Sequence, residues 1–181
     1  MNFNKYRDFG DYHWKAWRDK STQYSKHADF CSRWVKERPC LDVGCGDGLI
    51  AHLLGREVDG IDDNELAISL ALSHGINARQ FDVYLIEPFA RYNAVFMGDI
   101  IEHLDDPGRA LRAVRATLFP RGALYISTPP KGKQLHDRYH IREYTPDELV
   151  ALVEMNGFKI ADQVIVRLEW VQMYGKFYRT E

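Results

Sequence analysis

Cys40-Leu41-Asp42-Val43-Gly44-Cys45-Gly46-Asp47-Gly48-Leu49-Ile50-Ala51-His52-Leu53-Leu54-Gly55 is the stretch that decides the fold. Arg38-Pro39 closes whatever precedes it, because the residue before a proline is pushed out of the helical basin. Cys40 to Val43 then reads as a short buried strand. A glycine-rich turn follows, and the apolar run from about Leu49 to Gly55 reads as a helix. A strand that turns directly into a helix offers a ligand the unpaired N–H groups and positive dipole end of that helix. Glycine lets a ligand come close to the backbone, since it carries no Cβ. The spacing here is GxGxG, one residue tighter than the GxGxxG of dinucleotide sites, and residue 49 is leucine. No GK[ST] follows, so a phosphate P-loop is excluded. A nucleoside-type cofactor and a tight turn that merely packs remain the two readings of the loop itself.

Outward from this stretch, strands and helices alternate. Glu57 to Ile61 reads as the second strand, followed by a helix from Asn64 to Ser73 that Gly75 closes. Asn77 to Phe81 and Asn93 to Met97 read as the third and fourth strands. A helix over Pro107 to Leu118 has Asp106 as its N-cap and proline at its first position. Ala123 to Ser127 is the fifth strand, and Thr145-Pro146-Asp147-Glu148 is a capping box opening a helix that stops at Gly157. Lys159 to Arg167 and Trp170 to Tyr178 read as a closing strand pair. Residues 5–37 read as helical and are rich in aromatics. The pattern predicts one α/β domain, doubly wound, with a mainly parallel seven-stranded sheet, helices on both faces and the last strand antiparallel. Residues 1–38 are expected to form a helical lid and substrate region, and 39–181 the cofactor-binding core.

Composition narrows the class. The 181 residues fit one domain, and Lys+Arg 24 against Asp+Glu 26 leaves a net charge of −2. The basic surplus of a strong nucleic-acid binder is missing, which argues against such a partner. No apolar run approaches the length that spans a bilayer. Met1 to Lys20 is aromatic and charged with no apolar signal core. Cys31, Cys40 and Cys45 form no CxxC pair and suggest no disulfide framework. A cytoplasmic protein is expected.

Val58-Asp59-Gly60-Ile61-Asp62 ends the second strand in a carboxylate, which can accept hydrogen bonds from both hydroxyls of a ribose. Capping of the next helix by Asp62, Asp63 or Asn64 is the competing role. Phe81-Asp82-Val83 ends the third strand in the same manner. Beyond the fourth strand stands Met97-Gly98-Asp99-Ile100-Ile101-Glu102-His103-Leu104-Asp105-Asp106-Pro107, and beyond the fifth Ser127-Thr128-Pro129-Pro130. His140-Ile141-Arg142-Glu143-Tyr144-Thr145-Pro146-Asp147-Glu148-Leu149 precedes Gly157-Phe158.

These motifs, in this order over residues 40–160, resemble the class I methyltransferases, whose motif I is Asp-x-Gly-x-Gly-x-Gly. The "EHL", "DP" and "STP" elements are most similar to small ubiquinone-pathway O-methyltransferases and to methyltransferases of surface-polysaccharide gene clusters. Tyr12-His13-Trp14 is of the second kind. Asn93 departs from the aspartate usual at the start of the fourth strand. The resemblance implies S-adenosyl-L-methionine as cofactor, with S-adenosyl-L-homocysteine as product, held by Asp42, Gly44, Cys45, Gly46, Gly48, Asp62, Asp63, Asp82, Val83, Gly98 and Asp99. Asp42 would steady the loop and the methionine ammonium, Asp62 the ribose, and Asp82 and Val83 the adenine.

Transfer to a hydroxyl of a small molecule, a sugar or quinone-like ring, is the function expected. The catalytic candidate is His103, at the carboxyl edge of the sheet where open α/β folds bind ligands. An imidazole can take a proton at neutral pH, and orienting the loop is its other reading. Asp99, Glu102, His103 and His140 also resemble the metal set of small-RNA 3′-terminal 2′-O-methyltransferases, although Asp99 is shorter than the usual glutamate and Leu104 replaces a second adjacent histidine. A metal-assisted RNA enzyme is therefore one alternative, and a non-catalytic cofactor-binding module another. Lys131, Lys133, Arg138 and Arg142 are candidates to meet an anionic acceptor, with a solvated loop as the plainer reading. A small-molecule acceptor and a homodimer completing the acceptor site are the partner expectations.

Overall fold

In the computed structural model, which describes residues 5–86, 92–133 and 139–181, the decisive stretch is strand β1, Cys40–Val43, buried along its whole length. It leads through the glycine turn into helix α4, Leu49–Leu54. Three helices precede it where the sequence suggested one region: α1 Lys5–Phe9, α2 Tyr12–Arg18 and α3 Gln23–Trp34. Gly10, at φ +64, breaks the first from the second. Asp19 turns the chain by accepting from Ser21, and the Thr22 hydroxyl caps α3 at Ser25 N.

After α4 come β2 Val58–Asp62, α5 Glu65–Ser73, β3 Ala78–Gln80, β4 Tyr92–Gly98, α6 Pro107–Thr117, β5 Leu118–Thr128, α7 Pro146–Met155, β6 Phe158–Ile160, β7 Ile165–Arg167 and β8 Gln172–Arg179. Strands lie in the order β3-β2-β1-β4-β5-β8-β6, and β7 also pairs with β8. The first five positions are parallel, and β8 runs antiparallel to β5, β6 and β7. The expected strand from Lys159 to Arg167 is split in two. Its pieces pair with opposite halves of β8, so seven positions across the sheet hold eight strands.

Side-chain alternation builds two cores from one sheet. Val95 and Met97 of β4, with Leu124 and Ile126 of β5, pack beneath α6 and α7 through Leu111, Val114, Leu149 and Val153. Ala94 and Phe96, with Ala123, Tyr125 and Tyr174 of β8, face the other way, where Leu49, Cys31 and Trp14 cover them. Helix starts follow the sequence closely. The Asp106 side chain accepts from Arg109 N, and Thr145 with Glu148 forms the full capping box. Among the described residues no helix is long and apolar enough to cross a membrane.

Candidate active site

The order β3-β2-β1-β4 reverses the direction of winding between β1 and β4, which opens a crevice at the carboxyl ends of these strands. A cavity of about 430 Å³ lies there. Asp42, Gly44, Cys45, Asp62, Asp63, Asp82, Val83, Gly98, Asp99, Glu102, His103 and His140 all line it. Gly46 and Gly48 are not on its wall. Gly46 donates its N–H to Asp62 Oδ2 at 2.9 Å, and a Cβ there would run into the Tyr6 hydroxyl. Gly48, at φ +80, caps α4 and packs on Ala71 and Ile76, so its use is to let the loop lie against α5.

The two carboxylates nearest the loop are held differently. Asp62 accepts from Gly46 N and, through Oδ1, from Asn64 N at 2.9 Å. Helix α5 is capped by Asn64, which accepts from Leu66 N and Ala67 N, so capping makes no demand on Asp62. Burial raises the Asp62 pKa to about 6, against the lowering effect of its two backbone bonds. Asp42 is buried more deeply, and one of its oxygens, Oδ2, has no hydrogen-bond partner. Burial first, then the Asp62 charge, raises its pKa to about 8. A buried carboxylate in this state is stabilised by a cation or by added donors. S-adenosylmethionine brings both, in an ammonium group and two ribose hydroxyls, so the residues present fit it. Asp82 accepts from Tyr84 N and caps a 3₁₀ turn at Val83–Leu85 while facing the same cavity.

At the β4 end of the cavity His103 is oriented by backbone. Its Nδ1 stands 2.8 Å from the Tyr139 carbonyl, which can only accept. The neutral ring thus keeps its proton on Nδ1, and Nε2 is the basic nitrogen. The His140 ring meets His103 edge-on at 4.7 Å. Glu102, 1% exposed, accepts from Thr128 Oγ1 at 2.9 Å, and its Oε1 lies 3.9 Å from His140 Nε2. One ligand atom from each of Glu102, His103 and His140 falls within 4.8 Å of the others. Asp99 does not join that set. Its carboxylate is turned to Ser127, Gln172 and His27, because the chain leaves β4 through Asp99 at φ +51.

The N-terminal helices contribute wall residues with no site role legible in the sequence. Asp47, fully buried, accepts from His13 N and faces His13 Nδ1, both at 3.1 Å, and its carbonyl accepts from the Trp14 indole at 2.9 Å. Tyr6, Tyr12, His13, Tyr24 and His27 complete the wall. The rings of His13 and Tyr24 stack at 4.8 Å. Tyr12-His13-Trp14 was visible as a motif, but the partner Asp47 was hidden inside the glycine loop. His27 carried no signal at all, since its place beside Ala28 and Cys31 reads as ordinary core. The basic candidates lie elsewhere. Lys131 pairs with Glu148, Arg142 donates to the Leu104 and Asp105 carbonyls, and neither they nor Lys133 line the cavity. Arg138 falls outside the described residues. Among those described, Lys5 is the single lysine or arginine on a wall otherwise charged by carboxylates.

A family model described as a methyltransferase domain matches residues 16–163. A ubiquinone biosynthesis O-methyltransferase of Marinobacter nauticus is 36% identical over 101 residues, which cover 49% of this chain and 42% of that protein. The chain thus spans less than half the length of the curated relatives it matches. In structure it is similar to an S-adenosylmethionine-dependent methyltransferase from Thermotoga maritima, described as a possible histamine N-methyltransferase, with TM-score 0.80 at 16% identity over 99% of both chains. Magnesium protoporphyrin IX methyltransferase from Synechocystis PCC 6803, with bound S-adenosylhomocysteine, gives TM-score 0.75 at 15% identity over 98% of this chain and 97% of that one. Identities this low establish the shared fold and leave the acceptor to the site itself.

Proposed function

The chain belongs to the class I S-adenosylmethionine-dependent methyltransferases, and from that premise we propose that it methylates a hydroxyl group of a small molecule, with His103 as the proton acceptor. The observation that carries this reading is the Tyr139 carbonyl on His103 Nδ1, which leaves Nε2 basic on the wall that also holds Asp62 and the glycine loop. The cofactor, when bound, supplies a methyl group whose bond to sulfur breaks, the electron pair staying on sulfur, as the acceptor oxygen attacks. The chain's own work is alignment, exclusion of water and removal of the hydroxyl proton. Asp62 serves the ribose, Asp42 the ammonium, and Asp82 with Val83 the adenine. His103 Nε2 takes the proton. Helices α1 to α3 act as the lid, presenting Tyr6, Tyr12 and Tyr24 to the acceptor. The O-methyltransferase names of the curated relatives support the hydroxyl chemistry.

A second reading rests on one observation, the convergence of Glu102, His103 and His140. One carboxylate and two imidazoles suit a hard-to-borderline divalent ion, from manganese to zinc. His103 would then be a ligand, and a bound ion would lower the pKa of the acceptor hydroxyl instead. The carboxylate-rich wall disfavours the phosphates of RNA, so this reading too concerns a small molecule.

One set of assays separates them. Cofactor consumption is measured with a panel of hydroxylated rings, in chelator and with added Mn²⁺. With His103 as base, His103→Ala lowers turnover by about 10²–10⁴-fold, leaves S-adenosylhomocysteine affinity intact, and chelator has no effect. Loss of activity in chelator, restored by Mn²⁺, moves the assignment to the metal. A loss under about tenfold in His103→Ala, with chelator inert, removes both.

A further inference from the structure

Asp99 sits in the left-handed region, which residues bearing a Cβ seldom adopt and which aspartate tolerates better than most. Three groups remote in sequence hold its carboxylate there. Ser127 Oγ donates to Oδ1 at 3.2 Å, Gln172 Nε2 donates to Oδ2 at 3.1 Å, and His27 Nε2 lies 3.6 Å from Oδ2. They come from β5, β8 and α3, and none belongs to the glycine loop or to β2.

The proton positions follow from a chain of donors. The Trp170 indole N–H can only donate, and it does so to the Tyr174 hydroxyl oxygen at 2.6 Å. That hydroxyl lies 2.8 Å from His27 Nδ1, which accepts its proton because Nε2, 3.6 Å from an Asp99 oxygen that can only accept, is the protonated nitrogen. Burial holds the His27 pKa below its ordinary value, so the ring is neutral and carries its one proton on Nε2, toward Asp99. All three groups that aim at the carboxylate are therefore neutral. They fix its direction, and none of them brings a positive charge to it.

The Asp99 side chain is 31% exposed and lines the cavity close to His103 in sequence, with Glu102 and Asp105 on the same wall. A hydroxyl or an ammonium offers such a carboxylate a proton. A phosphate or carboxylate offers lone pairs and a like charge. The stacked rings of His13 and Tyr24 give the same cavity a flat aromatic side.

We propose that Asp99 orients the acceptor by accepting a hydrogen bond from it, and so selects uncharged or cationic hydroxylated rings over anionic ones. The inference rests on the methyltransferase reading and moves Asp99 from the cofactor, where the family resemblance put it, to the acceptor.

Calorimetry on the full chain saturated with S-adenosylhomocysteine tests it with three probes that share one ring: catechol, dopamine and protocatechuate, which are neutral, cationic and anionic. In the wild type, catechol and dopamine should bind at least about tenfold more tightly than protocatechuate. Asp99→Asn should narrow that ratio to about threefold or less, with S-adenosylhomocysteine affinity changed by no more than about threefold. Protocatechuate binding as well as the others overturns the proposal, as does a ratio that survives Asp99→Asn, or failure of all three rings to bind. A tenfold loss of S-adenosylhomocysteine affinity in Asp99→Asn returns the residue to the cofactor. The wild-type order needs no variant, so it stands even if Asp99→Asn folds poorly. Wild-type protein that binds S-adenosylhomocysteine but ignores the probes sinks this inference alone, and failure to bind S-adenosylhomocysteine sinks the methyltransferase reading.

Discussion

The residue that most shapes the crevice is Asp42. Its folded pKa of about 8 stands above the 3.8 of a free aspartate, because burial and the neighbouring Asp62 charge disfavour ionisation. The sign is unusual for a carboxylate. Between about pH 4 and pH 8 the folded chain holds a proton that the unfolded chain has lost, so stability falls as pH rises through that window. Asp62, raised to about 6, adds to the fall over the lower part of it. Asp42→Asn removes the titration. The variant should gain roughly 5–10 °C in melting temperature relative to wild type between pH 5 and pH 8 without ligand. Parallel melting curves across that range would mean that Asp42 is ionised throughout. At this scale the sequence was legible where chemistry and position coincide. Asp62 and Gly46 were expected to share a pocket; they are hydrogen-bonded, but only Asp62 lines the cavity. Asp99 showed its residue type but not its direction, since a backbone torsion and partners from β5, β8 and α3 decide where it points.

Among the elements, α2 is joined to the glycine loop by a polar latch. Asp47 takes two contacts from His13 and one, through its carbonyl, from Trp14, while the Trp14 ring stacks on His74 at 4.0 Å. Asp47→Ala takes the partner from the half-buried donors of His13, at a cost of about 1–3 kcal/mol. For a chain of this length that is roughly 2–10 °C in melting temperature. If the helices form a lid, the loss should be local. Proteolysis should then cut between α1 and α3 much faster than in wild type, with the core from β1 onward resistant. Equal protection in both proteins would make the latch ornamental. Element boundaries were readable where capping residues mark them, as at Asn64, Asp106 and Thr145. They were poorly readable from 5 to 37, where aromatic residues on every side of the helices obscured breaks made by Gly10 and by the turn at Asp19.

At the scale of the whole molecule, a crevice lies between the two halves of a reversed sheet. Ligand that binds only the folded state raises stability by mass action, by about 2.7 kcal/mol at a hundred times its dissociation constant. S-adenosylhomocysteine at that excess should raise the melting temperature by roughly 5–10 °C, and NAD at the same concentration should not. Stabilisation by NAD alone would contradict the glycine spacing on which the cofactor assignment rests. The parallel half of the sheet was plain from the alternation of strands and helices. The antiparallel end was less so, because residues 161–164 interrupt what hydropathy shows as one strand.

Strand β8 lies between β5 and the pair β6 and β7, although it follows all three in sequence. On the ribosome, therefore, β5 emerges with its outer edge bare, and β6 and β7 have nothing to pair with until residues 172–179 have cleared the exit tunnel. The nascent protein carries a sticky seam through the synthesis of nearly fifty residues, and it is over that interval that a chaperone would be expected to bind.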